Sequence, residues 1–149
     1  MEQTLILIKP DAVQRSLTGK IIARFENRGL QMVAAKQLLV DQKLAEEHYA
    51  EHVGKPFFAG LVEYITSSPI IAMVLAGNNA VKVARQTIGA TDPKEASPGT
   101  IRGDYGIDLG RNLVHGSDST ESSQREINIF FSSEQINEWT MANEKWIVE

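Results

Sequence analysis

The chain contains no cysteine. That excludes disulfides and thiolate metal centres, and it favours an intracellular setting. Long apolar runs are missing as well. The longest, such as IIAMVLA, reach about seven residues, where a membrane-crossing helix needs roughly 20. The opening MEQTLILIKPDA has neither the basic start nor the apolar length of a signal peptide, so a cytoplasmic location is expected. Basic residues are outnumbered, with 15 Lys and Arg against 19 Asp and Glu and a net charge of −4. No general grip on nucleic acid is expected, and any polyanion would need a local cluster of cations. Two glycine-rich phosphate signatures, G-x-x-x-x-G-K-[ST] and G-x-G-x-x-G, are absent too. So are repeats and low-complexity tracts, which predicts one domain over residues 1–149. What is present is the balance of a globular protein, 42% hydrophobic and 23% charged, with enough chain for one substantial core.

Along the chain, TLILIK (4–9) reads as a buried strand that Pro10 stops. Asp11 and Gln14 have capping-box spacing for a helix carrying Ile21, Ile22 and Phe25, with Gly29 at its end. QMVAAKQLLV (31–40) predicts a second strand. Asp41 caps a helix whose apolar face is Leu44, Tyr49 and Val53 and which Gly54 closes; Pro56 opens another with Phe57, Phe58, Leu61 and Ile65. By helical spacing, Tyr49 and Phe57 read as core aromatics. SPIIAMVLAG (68–77) is the clearest strand, and NNAVKVARQTIG is a capped helix with Val81, Ala84 and Ile88 on one stripe. From Thr91 to Gly110 there are two prolines and four glycines, a long stretch for a structureless loop and therefore suggestive of function. After NLVHGSDS, a short helix from about Ser119 leads to REINIFF, where alternating Ile127, Ile129 and Phe131 mark a last strand. The tail's Trp139 and Trp146 are too apolar to float free. Reduced to essentials the order is βαββαβ, an α+β sandwich with helices on one face of a small sheet.

NLVHGSDSTE (112–121) carries the most chemistry. His115 stands among Gly116, Ser117, Asp118 and Ser119, and Asp118 with Glu121 again has capping-box spacing. A helix starting there presents free N–H groups and a positive dipole end beside the imidazole, which suits a phosphate. The bland alternative is a histidine that ends a strand and bonds the backbone. Lys9, Arg85 and Arg102 are cations that could converge on a polyphosphate, arginine in bidentate fashion; each could equally be a solvated surface residue. With the glycine-rich loops missing, a histidine nucleophile is one of the few routes left to phosphate chemistry. His48 and His52, spaced i, i+4, faintly suggest a metal pair, but no third ligand accompanies them. A Ser117–His115–Asp118 triad is poor, because residues so close in sequence do not easily adopt triad geometry.

KPDAVQR, PFFAGL, PGTIRGDYG and above all NLVHGSDSTES resemble the nucleoside diphosphate kinase family, and the resemblance runs from about Thr4 to Glu149. It implies a ferredoxin-like βαββαβ fold with a four-stranded antiparallel sheet. It also implies a ping-pong exchange in which the γ-phosphate of a nucleoside triphosphate moves to Nδ1 of His115 and then to a nucleoside diphosphate. By the same resemblance Lys9 reaches phosphates and sugar hydroxyl, and Tyr49 lies near the histidine and lysine. Phe57 stacks on the base, while Arg85, Thr91 and Arg102 contact the β- and γ-phosphates. Asn112 binds the ribose, and Ser117 and Glu126 support the histidine. Lys55 before Pro56, where many relatives have Arg, is a minor departure. Mg²⁺ is the implied cofactor, held mainly by the nucleotide phosphates, with no protein metal ligand. ATP, GTP, UTP, CTP and their deoxy forms are the implied substrates. Family members form hexamers or, in some bacteria, tetramers; the tail ending in KWIVE resembles the hexameric branch.

The chemistry of these residue types agrees. A neutral imidazole, with an unperturbed pKa of about 6.5, is a competent nucleophile near pH 7. Phosphoryl transfer needs chiefly positioning and charge neutralisation, and stacking on Phe57 is indifferent to base identity. Two rival readings remain open at this point. A binding protein that kept the fold without turnover would take up no phosphate; a phosphohydrolase would release it to water without a diphosphate acceptor.

Overall fold

A computed structural model describes all 149 residues. Its centre is a four-stranded sheet of β1 (Glu2–Ile8), β2 (Gln31–Leu38), β3 (Ile70–Gly77) and β4 (Val114–Gly116), in the order β2-β3-β1-β4 with every pairing antiparallel. In β1, Leu5 and Leu7 face one core and Ile6 and Ile8 the other; in β3, Ala72 and Val74 alternate in the same way with Met73 and Leu75. Both strands are therefore covered on two sides, which is why their sequences are continuous apolar runs rather than alternating ones.

This corrects the expectation of helices on one face. The first core packs α3 (Gln42–His48), α4 (Phe58–Ile65) and α7 (Thr120–Phe130) against the sheet through Ala45, Val62, Ile65, Ile127 and Phe130. The second packs α1 (Pro10–Gln14), α2 (Thr18–Asn27), α5 (Ala80–Ile88) and α6 (Ile101–Tyr105) through Ala12, Ile21, Phe25, Ala84, Ile88 and Ile101. Side chains such as Phe25, fully removed from water, each contribute about 1.5–3 kcal/mol. The βαββαβ core is present as β1-α2-β2-β3-α5-β4, and α3, α4 and α7 are additions on the far face.

The last strand is not where the alternation put it. REINIF is the C-terminal part of α7, and the fourth strand is the short Val114–Gly116, which contains His115. The residues of α7 that are buried are Ser123, Glu126, Ile127 and Phe130, an i, i+3, i+4, i+7 stripe. Other local corrections follow the same logic. Ser119, not Asp118, caps α7 by accepting from the Ser122 N–H at 3.0 Å. Helix α1 begins at Pro10 with Lys9 before it, and Asp11 makes no cap. Asp41 does cap α3, accepting from Leu44 N–H at 2.8 Å, but α3 stops at His48 and leaves Val53 exposed. Asn79 adds no side-chain cap to α5; Glu2 accepts the Val81 N–H instead, at 2.8 Å. The long loop holds α6, with Ile101 and Arg102 buried. The tail is tied along the outer strand by the Asn137 N–H to Val33 O (2.8 Å) and the Trp139 indole to Met32 O (3.1 Å), although both tryptophan rings remain exposed.

Candidate active site

The path into β4 is strained and held. Leu113, fully buried, has φ +74°, a conformation that costs a branched side chain about 1–3 kcal/mol. Its N–H donates to Asp11 Oδ2 at 3.1 Å, and its carbonyl accepts from Lys9 N–H at 2.9 Å. Asp11 also accepts from the Tyr64 hydroxyl. The residue read as a helix cap is thus a brace two positions ahead of His115. On the other side, Gly116 lets the strand press on α5: a Cβ there would sit 2.6 Å from Ile88 Cδ1.

His115 lies opposite Leu7 in the β1–β4 register, its ring half-buried. Nε2 is 2.8 Å from Glu126 Oε1, and Glu126 Oε2 accepts from the Ser117 hydroxyl at 2.6 Å. Ser117 Oγ in turn accepts the Leu5 N–H at 3.3 Å. Burial by itself would raise the Glu126 carboxyl, but the bond and charge of His115 and the Ser117 hydroxyl outweigh it and leave the group below its ordinary value. An ionised Glu126 accepts from Nε2–H, and in the neutral ring that bond selects the tautomer whose lone pair is on Nδ1. Ser117 turns to Glu126, not to His115, so the hydrolase triad does not form.

The predicted cations do converge. Lys9 Nζ donates to Asn112 Oδ1 at 2.8 Å, and Asn112 Nδ2 donates to Thr91 O at 3.1 Å. Buried Arg102 donates to three carbonyls: Asn112 O (3.1 Å), Gly89 O (3.3 Å) and Val114 O (2.7 Å). Arg85 donates to Gly116 O at 3.1 Å. Burial and neighbouring Arg102 bring Lys9 down to about 8 against the opposing pull of Asp11. Burial and Arg85 bring Arg102 to about 10. Lys9 and Arg102 remain cationic at neutral pH, and the repulsion between Lys9 and Arg102 and between Arg102 and Arg85 is what a polyanion among them would relieve.

Two adjoining cavities share Lys9, Tyr49, His52, Thr91 and Asn112. The smaller, about 330 Å³, is lined by Arg85, Arg102, His115 and Glu126. The larger, about 930 Å³, is walled by Phe57, Leu61, Tyr64 and Arg111. Phe57 is 51% exposed at the entrance to α4, not a core residue, with His52 edge-on at 5.3 Å and the Lys55 ammonium 5.8 Å from its ring. Tyr49, at the end of α3, borders both cavities, and burial raises its hydroxyl to about 12, so it stays neutral. Ten predicted residues are therefore in one place: nine line the two cavities and Ser117 bonds Glu126.

The i, i+4 histidines do not form a pair. The helix ends between them, and His48 faces His115 at 4.9 Å while His52 faces Phe57. His48, His115 and Glu126 offer ligand atoms within 4.8 Å of one another, but two nitrogens to one carboxylate is a poor donor set for Mg²⁺, which prefers oxygen. Both Glu126 oxygens are also engaged already. Sequence reasoning missed His48 as a member of the site, along with Asp11 and Tyr64. Nothing in the local pattern of EEHYAEH separates a histidine facing the site from a surface one.

A sequence model described as nucleoside diphosphate kinase matches residues 2–136. The chain is 58% identical to a nucleoside diphosphate kinase of Pelotomaculum thermopropionicum over the whole of both chains. It is 56% identical to one of Archaeoglobus fulgidus, over all of this chain and 99% of the relative. Among solved structures it is similar to a halophilic nucleoside diphosphate kinase from Halobacterium salinarum in complex with CDP, with a TM-score of 0.97 at 51% identity over 99% of both chains.

Proposed function

The chain belongs to the nucleoside diphosphate kinase family, and on that premise we propose that it exchanges the γ-phosphate between nucleotides by a ping-pong route through phosphorylated His115. Nδ1 attacks the γ-phosphorus of the triphosphate, the Nδ1–P bond forms, and the bond to the bridging oxygen breaks, releasing the diphosphate. The ring becomes cationic as it takes the phosphoryl group, and Glu126, bonded at Nε2–H, offsets that charge without taking the proton. A second diphosphate then enters the same site and its terminal oxygen attacks phosphorus, reversing the sequence. Lys9, Arg85 and Arg102 neutralise the charge spread over the transferring oxygens. Mg²⁺ travels with the nucleotide as part of the substrate, on phosphate oxygens.

One observation carries this reading: Nε2 of His115 is hydrogen-bonded to the buried carboxylate of Glu126 in a cavity whose lining holds four cations, Lys9, Arg85, Arg102 and Arg125. The larger cavity supports broad base specificity, since Phe57 offers a ring face and a π-face is common to every base. The Halobacterium salinarum relative was solved with CDP, in keeping with a diphosphate acceptor here. The reading places all 149 residues in one catalytic domain, working in the cytoplasm. No helix is long and apolar enough to cross a membrane. Exposed Ile107, Trp139 and Trp146 favour an oligomer that covers them. A hexamer predicts a mass in solution of six times 16.5 kDa, a tetramer four times.

The test is a two-stage transfer. Protein incubated with Mg²⁺ and γ-labelled ATP, then desalted, should carry acid-labile, alkali-stable label that chases into GTP or UTP on addition of GDP or UDP. His115→Ala should take up none. Unlabelled wild-type protein would defeat the reading, and label lost only to water would make the protein a hydrolase.

A further inference from the structure

Glu126 fixes one atom of the nucleophile's ring, and one atom does not fix a plane. Nε2 lies closer to the Cβ–Cγ axis than Nδ1 does, so rotation about that bond moves the bonded nitrogen little and swings the reacting nitrogen further. A second contact is needed to hold Nδ1 on the cavity. The structure supplies one. The His48 ring, only 6% exposed, meets the His115 ring edge-on, 4.9 Å between centroids at 88°. His48 is itself held by Phe130, at 5.4 Å and 76°, and by its neighbour Tyr49, at 4.7 Å. Phe130 and Glu126 are i+4 and i on α7, so one turn of one helix backs both contacts on the nucleophile.

Resting on the phosphohistidine reading above, we propose that His48 is a positioning residue for phosphoryl transfer, whose edge contact sets the plane of the His115 ring and so aims Nδ1. Its contribution is through its ring rather than through a hydrogen bond or a charge. His48 Nδ1 is buried without a partner. Burial, reinforced by His115 and by Lys9 and Arg125, brings the imidazole down to about 3 against the pull of Glu126, so it is neutral wherever the enzyme works. A neutral ring also adds no repulsion to the cation that forms on His115.

Two variants test this. His48→Leu keeps apolar volume but removes the flat edge; His48→Phe keeps a ring and removes both nitrogens. The readouts are the rate of phosphoenzyme formation at saturating magnesium ATP, steady-state KM and kcat, and the thermal midpoint. His48→Leu is expected to slow phosphoenzyme formation and kcat by about 10- to 100-fold, the scale of a small misplacement of a reacting group, with KM within about twofold. His48→Phe is expected to recover both to within about threefold, because an edge-to-face contact survives. Its midpoint should match or exceed the wild type, since it buries no unpaired nitrogen. Full speed in His48→Leu would overturn the proposal, and so would a loss in KM alone. Equal impairment of both folded variants would also overturn it, because a nitrogen and not the ring would then matter. Wild-type protein that forms no phosphoenzyme would instead defeat the underlying kinase mechanism, a result visible before any variant is made.

Discussion

In the smaller cavity, Arg102 donates to three backbone carbonyls, Arg85 to one, and His115 and Ser117 share a single buried carboxylate. In the larger one, Phe57 stands half exposed at a helix entrance, flanked by His52 and the Lys55 ammonium. The two volumes touch, yet they are built to different tolerances. Phosphoryl transfer loses orders of magnitude when a reacting atom moves by about 1 Å, so its groups are anchored to strands and carbonyls. Stacking is tolerant of sliding and of base identity, so one exposed ring would serve the base proposed to lie there. The strain at Leu113 belongs to the first regime, because Asp11 and the Lys9 backbone clamp it in place.

Variants can break or sharpen this contrast. The largest effect is expected at the proposed nucleophile, where His115→Ala should lower kcat on the order of 10⁴-fold or more while nucleotide affinity, measured by titration, stays within about tenfold. Next, Glu126→Gln should lower kcat by about 10²-fold, because the amide no longer holds Nε2–H as an anion would; stopped-flow phosphorylation rates would report it. Lys9 supplies a pH test. Lowered to about 8, it is charged below that value and neutral above it, so kcat/KM, which reports the free enzyme, should fall as pH rises through about 8. The Lys9→Met variant should lack that limb. On the base side, Phe57→Ala should raise KM by roughly tenfold, in line with about 1–3 kcal/mol for one stacked base, similarly for purines and pyrimidines and with kcat changed far less. Smallest is Asp41→Ala, which removes the α3 cap and should lower unfolding free energy by about 1 kcal/mol without a measurable effect on transfer.

Much of this architecture was legible in the residues. TLILIK, QMVAAKQLLV and SPIIAMVLAG hold strands β1, β2 and β3 to within two residues at the ends they bound, the α5 stripe is as spaced, and every residue assigned to the site by family resemblance lies at or beside the two cavities. The failures have physical causes. REINIFF misled because two of the four inward positions of α7 are polar: Ser123 bonds Gln3 O of β1 and Glu126 bonds His115, so the helical stripe lost half its apolar signal, one position to the sheet and one to the site. The remaining Ile127, Ile129 and Phe131 then mimicked strand alternation. Asp11 has the spacing of a cap, but its partners Tyr64 and Leu113 are 53 and 102 residues away, beyond any local pattern. Phe57 has the spacing of a core aromatic; the family resemblance set it on the base instead, and its exposed ring lines the larger cavity rather than the core.

The central claim of the proposed mechanism is that Glu126, by accepting a hydrogen bond from Nε2–H, leaves Nδ1 of His115 as the atom that attacks phosphorus. The most direct test is phosphorus and ring-nitrogen NMR of the ¹⁵N-histidine-labelled phosphoenzyme, prepared with magnesium ATP and freed of nucleotide. The account predicts one phosphoryl group per chain, coupled to Nδ1 of His115. Phosphate on Nε2, or on a serine oxygen, would contradict it.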